Sequence, residues 1–177
     1  MSPMTGARTK RGILLSTAGA VLFVDVLTKA LVRTYFDPGR SVPVAGDLVR
    51  LTYVLNPGAA FGLGGGRYSH IVFPWLPMLA LGVVAYFYWR SSGEDRLRLF
   101  ALALVLGGAV GNLLDRLRAP GAVVDFLDVG LASLRWPVFN VADIGVTLGA
   151  VCLALSLGAV DREPSEPVPL TPEDISA

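Results

Sequence analysis

Four long apolar blocks separated by short polar connections constrain this 177-residue chain more than any other feature, and they cover about residues 12–33, 70–89, 97–117 and 138–160. An α-helix needs roughly 20 residues to cross a ~30 Å hydrocarbon core, so each block is about the right length. In hydrocarbon a backbone must satisfy its own polar groups, which such blocks do only as helices. The expected fold class is therefore an all-α membrane protein, a bundle of four transmembrane helices. The mean hydropathy of +0.59, with 53% hydrophobic and 16% charged residues, exceeds what a soluble domain of this size requires. One domain, residues 12–160, accounts for nearly everything. A polar segment, 1–11, precedes it, and a proline- and acid-rich tail, 161–177, carries too little apolar sequence to fold alone.

The connections supply the next constraints. Arg8, Lys10 and Arg11 precede the apolar run Ile13 to Val24 as in a secretory leader, but the pattern continues to Val32 and contains Asp25 and Lys29. Those two lie four residues apart with the acid first, so on a helix they meet as an ion pair that reduces the cost of burying both. Residues 35–69 open with Asp37-Pro38-Gly39, read as short strands from Val42 to Leu55, and end in the glycine-rich run Asn56 to Gly66. That run fits neither a P-loop nor a dinucleotide fingerprint. A small extracytoplasmic β element with a loop is expected there. Tyr86, Tyr88 and Trp89 close the second span as an interfacial belt.

An even number of spans puts both termini on one side. Arg8, Lys10, Arg11, Arg90, Arg96 and Arg98 cluster densely there and place it in the cytoplasm, although the opposite loops hold a comparable number over longer segments. A formal net charge of +1 without an extended basic cluster gives no case for nucleic acid. The single cysteine, Cys152, excludes an intrachain disulfide, and the single histidine, His70, excludes a multi-histidine metal site.

Residues 108–147 concentrate Asn112, Asp115, Arg116, Asp125, Asn140 and Asp143 beside hydrocarbon, where ionisable groups are costly unless they serve a function. On the third helix Gly108, Asn112, Asp115 and Arg116 recur at steps of three and four and share a stripe; Asn140, Asp143 and Thr147 do the same on the fourth. The third helix leaves the membrane where the fourth enters it, and Asp125 lies on their connection. These groups converge at the non-cytoplasmic surface. With no Ser/His/Asp or Cys/His arrangement, carboxylates are the available acid and base. Two aspartates sharing a site do not both ionise easily, and such a pair activates water and protonates a leaving amine.

Plainer readings exist for each group. Asn140 with Asp143 three residues on is an ordinary helix start, Asp115 beside Arg116 is a possible structural pair, and Asp125 and Asp128 fit a solvated loop. A transporter or channel subunit that binds protons or cations at buried aspartates predicts polar residues through the full membrane thickness. The second span carries no acidic or basic residue between His70 and Arg90. A scaffold whose polar groups only hold helices together predicts that Asp-to-Asn changes lower stability alone.

Five blocks in order, Asp25-x-x-Thr28-Lys29, Asn56-x-Gly58-Ala59-Ala60-Phe61-Gly62, Gly111-Asn112-x-x-Asp115-Arg116, Val124-Asp125-Phe126 and Phe139-Asn140-x-Ala142-Asp143, resemble the lipoprotein signal peptidase (signal peptidase II) family. The resemblance runs from about Gly12 to Val160. It implies an intramembrane aspartyl endopeptidase of the bacterial inner membrane, with both termini cytoplasmic, an outer strand-containing lobe and no metal or organic cofactor. The implied substrates are diacylglyceryl-modified prolipoproteins, cut on the N-terminal side of the lipobox cysteine. The catalytic aspartates then fall on Asp125 and Asp143. Asn112, Asp115, Arg116 and Asn140 match positions that shape the site or hold substrate, Asn56, Gly58 and Phe61 match the outer segment lining it, and Asp25 with Lys29 is a structural pair. Membrane lipids are implied partners, and a monomer is expected. Pro57, the Gly64-Gly65-Gly66 run and the acidic tail depart from the pattern; Asp128 matches no block.

Overall fold

The computed structural model describes residues 3–57, 75–118 and 122–160. In chain order the elements are α1 (Pro3–Tyr35), β1 (Ser41–Ala45), β2 (Val49–Asn56), α2 (Trp75–Arg90), α3 (Arg96–Arg118), β3 (Val123–Leu131), β4 (Leu134–Arg135) and α4 (Val141–Val160). Gly58, Phe61, the Gly64–Gly66 run and the tail from 161 lie outside the described residues.

Helix α3 is the axis of the bundle and packs against α1, α2 and α4. It can be central because small residues let neighbouring backbones come close. A Cβ on Gly107 would lie 2.7 Å from the Ala18 carbonyl of α1, and one on Gly108 would lie 2.3 Å from the Ala142 carbonyl of α4. Leu99, Ala101, Leu102 and Ala103 of α3 are fully buried, and Val84 of α2 and Leu153 of α4 close the core around them. The outward faces of α1, α2 and α4 instead expose Leu15, Phe23, Leu27, Leu79, Val83, Val151 and Leu155. Apolar side chains on the outside of a packed bundle suit contact with lipid. Three helices are long and apolar enough to cross a membrane, Gly6–Tyr35, Arg96–Arg118 and Val141–Gly158. The described part of α2 has 16 residues and falls short of that length, so three candidate spans stand where four are expected.

At the opposite end from the α1 N-terminus, the four strands form one antiparallel sheet in the order β1-β2-β3-β4. The strands expected between Val42 and Leu55 are β1 and β2. The connection between the last two helices differs from expectation, because it folds as β3 and β4 rather than as a loop. The run Val-Val-Asp-Phe-Leu-Asp-Val has the β-branched and aromatic content of a strand, and β2 offers it a full edge. Helix α4 accordingly begins at Val141 instead of about 138, since Phe139 is bridged to Leu127 and Asn140 caps the helix. The N-terminal segment is also not a separate polar arm: α1 runs from Pro3, and Lys10 stacks its ammonium 4.2 Å above the Tyr88 ring while donating to the Ser91 carbonyl.

Candidate active site

Pairing of β2 with β3 aligns Val54 with Asp125 and Asn56 with Val123. Residues two apart on a strand share a face, so Asn56 and Asp125 are diagonal neighbours on one side of the sheet. The Asn56 amide donates to Asp125 Oδ2 at 2.7 Å. From the other side, the Asn140 amide donates to Asp125 Oδ1, also at 2.7 Å.

Asn140 and Asp143 form a reciprocal cap at the start of α4. The Asp143 N–H donates to Asn140 Oδ1 at 2.9 Å, and the Asn140 N–H donates to Asp143 Oδ2 at 3.1 Å. The remaining oxygen, Asp143 Oδ1, accepts from the Asn112 amide of α3 at 2.8 Å. Each of the four carboxylate oxygens thus receives one N–H donor. The plain helix-start reading of Asn140 and Asp143 is correct, and the same two side chains also complete the site.

Both aspartates border a cavity of about 560 Å³ between α2, α4 and the sheet, whose polar groups include Asn56, Asn112 and Arg116 and whose walls include Leu76, Ala80, Trp136, Ile144 and Leu148. Asp125 is nearly inaccessible to solvent. Burial, reinforced by the charge of Asp143, pushes its carboxyl up to about 7 against the opposing donors Asn56 and Asn140 and the more distant Lys29 ammonium. This raised value lets Asp125 hold a proton well above the ordinary carboxylate range. A water held between a protonated and an ionised carboxyl can attack a carbonyl carbon while the other acid protonates the departing nitrogen.

The sequence-predicted residues divide into two groups. Asn56, Asn112, Arg116, Asp125 and Asp143 line the cavity, Asn140 bridges the two aspartates beneath it, and Arg116 also donates to the Asn112 carbonyl at 3.2 Å. Asp115 does not line it and is not paired with Arg116. It lies 2.5 Å from Arg33 and 3.0 Å from Lys29 of α1, and it accepts the Val124 N–H at 3.2 Å. The helical stripe places Asp115 one residue from Arg116, which is 100° of rotation, and that turns it toward α1. Asp25 and Lys29 form the expected intrahelical pair at 2.8 Å. Asp128 belongs to the sheet, paired with Arg135 at 2.6 Å and accepting from Thr52 at 2.9 Å. Arg33 escaped the sequence reading, although Asp25, Lys29 and Arg33 recur every four residues and so share a face. Among the described residues no group of three or more His, Cys, Asp or Glu side chains is arranged to hold a metal ion.

Comparison with known proteins points the same way. The family described as signal peptidase (SPase) II matches residues 17–158. The lipoprotein signal peptidase of Moorella thermoacetica is 44% identical over 148 residues, covering 81% of this chain and 94% of its own length. That of Syntrophus aciditrophicus is 37% identical over 156 residues, covering 86% and 96%. A bacterial membrane enzyme solved by the in meso method at 2.3 Å resolution has a TM-score of 0.75 at 28% identity, covering 89% of this chain and 94% of that one. With a family match across most of its length and relatives this similar over nearly their whole sequences, the chain belongs to the signal peptidase II family.

Proposed function

We propose that this chain is an aspartyl endopeptidase that uses Asp125 and Asp143 to cut signal peptides from prolipoproteins. Removal of signal peptides from prolipoproteins is the activity of the family to which it belongs, a family of bacterial membrane proteases. The aspartic chemistry rests on one observation: two carboxylates share a largely apolar cavity, every oxygen bears one N–H donor, and Asp125 is pushed up to about 7. One acid takes the proton of the attacking water and the other gives its proton to the leaving amine. The substrate is a diacylglyceryl-modified lipobox segment, cut on the N-terminal side of its cysteine.

The cavity walls suit that substrate. Leu76 and Ala80 of α2 and Ile144 and Leu148 of α4 make an apolar slot at helix depth that accepts acyl chains or an apolar signal helix, and Arg116 and Asn112 offer donors to the peptide. In the proposed topology the bundle has four spans, both termini are cytoplasmic, and the site lies near the outer face of the inner membrane. The enzyme works as a monomer among membrane lipids. Ion transport is the weaker reading, because among the described residues the buried aspartates gather toward one end of the bundle.

The test is cleavage of a diacylglyceryl-modified lipobox peptide in bilayers by the wild type and by Asp125→Asn and Asp143→Asn, each checked by thermal melt. Loss of more than about a hundredfold in both, with folding intact, is the expected result for acid–base groups. Activity that merely tracks the amount of folded protein would return the two residues to a scaffold role.

A further inference from the structure

Beneath the aspartates lies a second cluster of charge that takes no part in the chemistry just described. Lys29 of α1 is 1% exposed, and its Nζ has three oxygen neighbours at contact distance: Asp25 Oδ2 at 2.8 Å, Asp115 Oδ2 at 3.0 Å and Asn112 Oδ1 at 3.0 Å. An ammonium has three N–H donors and a compact charge, so the number of acceptors matches. Asp25 Oδ2 meets no donor at hydrogen-bonding angles and depends on this ammonium for its charge balance. Gly111 is what lets it approach α3, since a Cβ there would come within 2.5 Å of that oxygen.

Each acceptor continues to a catalytic aspartate. Asp25 Oδ1 accepts the backbone N–H of Ala142 at 2.9 Å, one residue before Asp143. Asp115 Oδ2 accepts the backbone N–H of Val124 at 3.2 Å, one residue before Asp125. Asn112, with its oxygen turned to Lys29, has only its NH₂ left for Asp143 Oδ1, at 2.8 Å. The two aspartates stand on different elements, a strand and a helix, and the same buried side chain ties down the residue preceding each.

We infer that Lys29 is the positioning residue of the catalytic pair, fixing the backbone at Val124 and at Ala142 through Asp115 and Asp25 and the amide orientation of Asn112 directly. This rests on the aspartyl reading above. It goes beyond an intrahelical pair that lowers the cost of its own burial, because such a pair makes no demand on the separation of Asp125 and Asp143. A misplacement of about 1 Å in a reacting group costs on the order of a hundredfold in rate, so loss of the hub appears mainly in kcat.

Two variants test it in the full-length protein, with the diacylglyceryl-modified lipobox peptide as probe. Lys29→Arg keeps the charge but spreads its donors over a planar fork, so no single nitrogen reaches three acceptors. Asp25→Asn with Lys29→Met removes one charge of each sign and leaves the buried balance unchanged. The expected result for both is a kcat about a hundredfold lower per folded molecule, with KM within about threefold.

The pH profile adds a readout that packing alone does not move. Around Asp125 lie Asn56 from β2, Lys29 from α1, Arg116 from α3, Asn140 from the residue before α4 and Asp143 from α4, while Arg33 and Asp115 pair with each other at the Val124 N–H. The Lys29 charge favours ionised Asp125, so the double variant shifts the profile toward higher pH while Lys29→Arg leaves it in place. Wild-type kcat in either folded variant, or a loss confined to KM, would overturn the inference. Failure of both variants to fold would assign the cluster to stability and overturn it as well. If the wild type itself left the peptide uncut, the aspartyl reading would fall first.

Discussion

Replacing Gly108 with alanine is the sharpest way to move one of the two aspartates of the proposed mechanism without touching it. A Cβ at 108 would lie 2.3 Å from the carbonyl oxygen of Ala142, 2.9 Å from Val146 Cγ2 and 3.1 Å from the Ala142 carbonyl carbon. A carbon and a carbonyl oxygen settle no closer than about 3.3 Å, so α4 must withdraw from α3 by about 1 Å at the residue next to Asp143. The obstruction is backbone, not the flexible end of a side chain, so rotation cannot relieve it. Overpacking of this kind costs about 1–3 kcal/mol of stability. A displacement of about 1 Å in a catalytic group costs on the order of a hundredfold in kcat.

The assay is cleavage of the lipid-modified peptide under saturating conditions, normalised to folded enzyme, with Gly82→Ala beside it. A Cβ added at Gly82 would meet nothing within 4 Å, so that variant is expected to cleave like wild type. Gly108→Ala that folds and keeps wild-type kcat would refute the argument that helix approach at Ala142 sets the position of Asp143.

Three further outcomes are expected. Asn140→Ala removes the cap of α4 and the donor to Asp125 Oδ1 together; chemical unfolding should register about 1 kcal/mol of lost stability, and kinetics should register a much larger loss of kcat. Asp125 keeps its proton to about 7 in the folded protein, against an ordinary value of 3.8. Between those values the native state holds more protons than the unfolded one, so this group's contribution to stability is full below about pH 4 and lost as pH rises to about 7; the slope of stability against pH should flatten in Asp125→Asn. Ala132 holds φ at 50° in the two-residue turn between Leu131 and Leu134. A left-handed residue with a Cβ costs about 1–2 kcal/mol, and glycine gives back about 0.4–1 kcal/mol of that through the unfolded chain, so Ala132→Gly should raise the thermal midpoint modestly.

Much of the site was legible because helices impose a fixed angular step. Asn112 and Arg116 four residues apart, and Asn140 with Asp143 three apart, have nowhere to point but one face each, and the structure joins those faces. Asp125 was legible as a residue but not as a position. Nothing in periodicity says that Val123 to Leu131 pairs with β2, because strand pairing is a long-range choice that a short apolar run leaves open. Asp115 is the opposite case: the 100° between consecutive helical residues turns it from Arg116 toward α1, and its partners Lys29 and Arg33 follow only from helix packing. Lys29 was readable as a partner of Asp25 but not as a partner of Asp115 and Asn112, since those lie more than 80 residues away and meet it only once α1 and α3 have packed.

The parentage of the site has a bearing on how the protein is made. Lys29 comes from the first helix, Asn56 from the strand that follows, Asn112 from the third helix, Asp125 from the sheet and Asp143 from the last helix. No nascent chain contains both carboxylates until Asp143 has been synthesised. Helix α4 must then insert and present Ala142 to Asp25 of α1. On the proposed two-aspartate mechanism, proteolytic competence therefore switches on only once α4 is in place rather than growing with the chain, and a product without α4 carries no stray protease activity into the membrane.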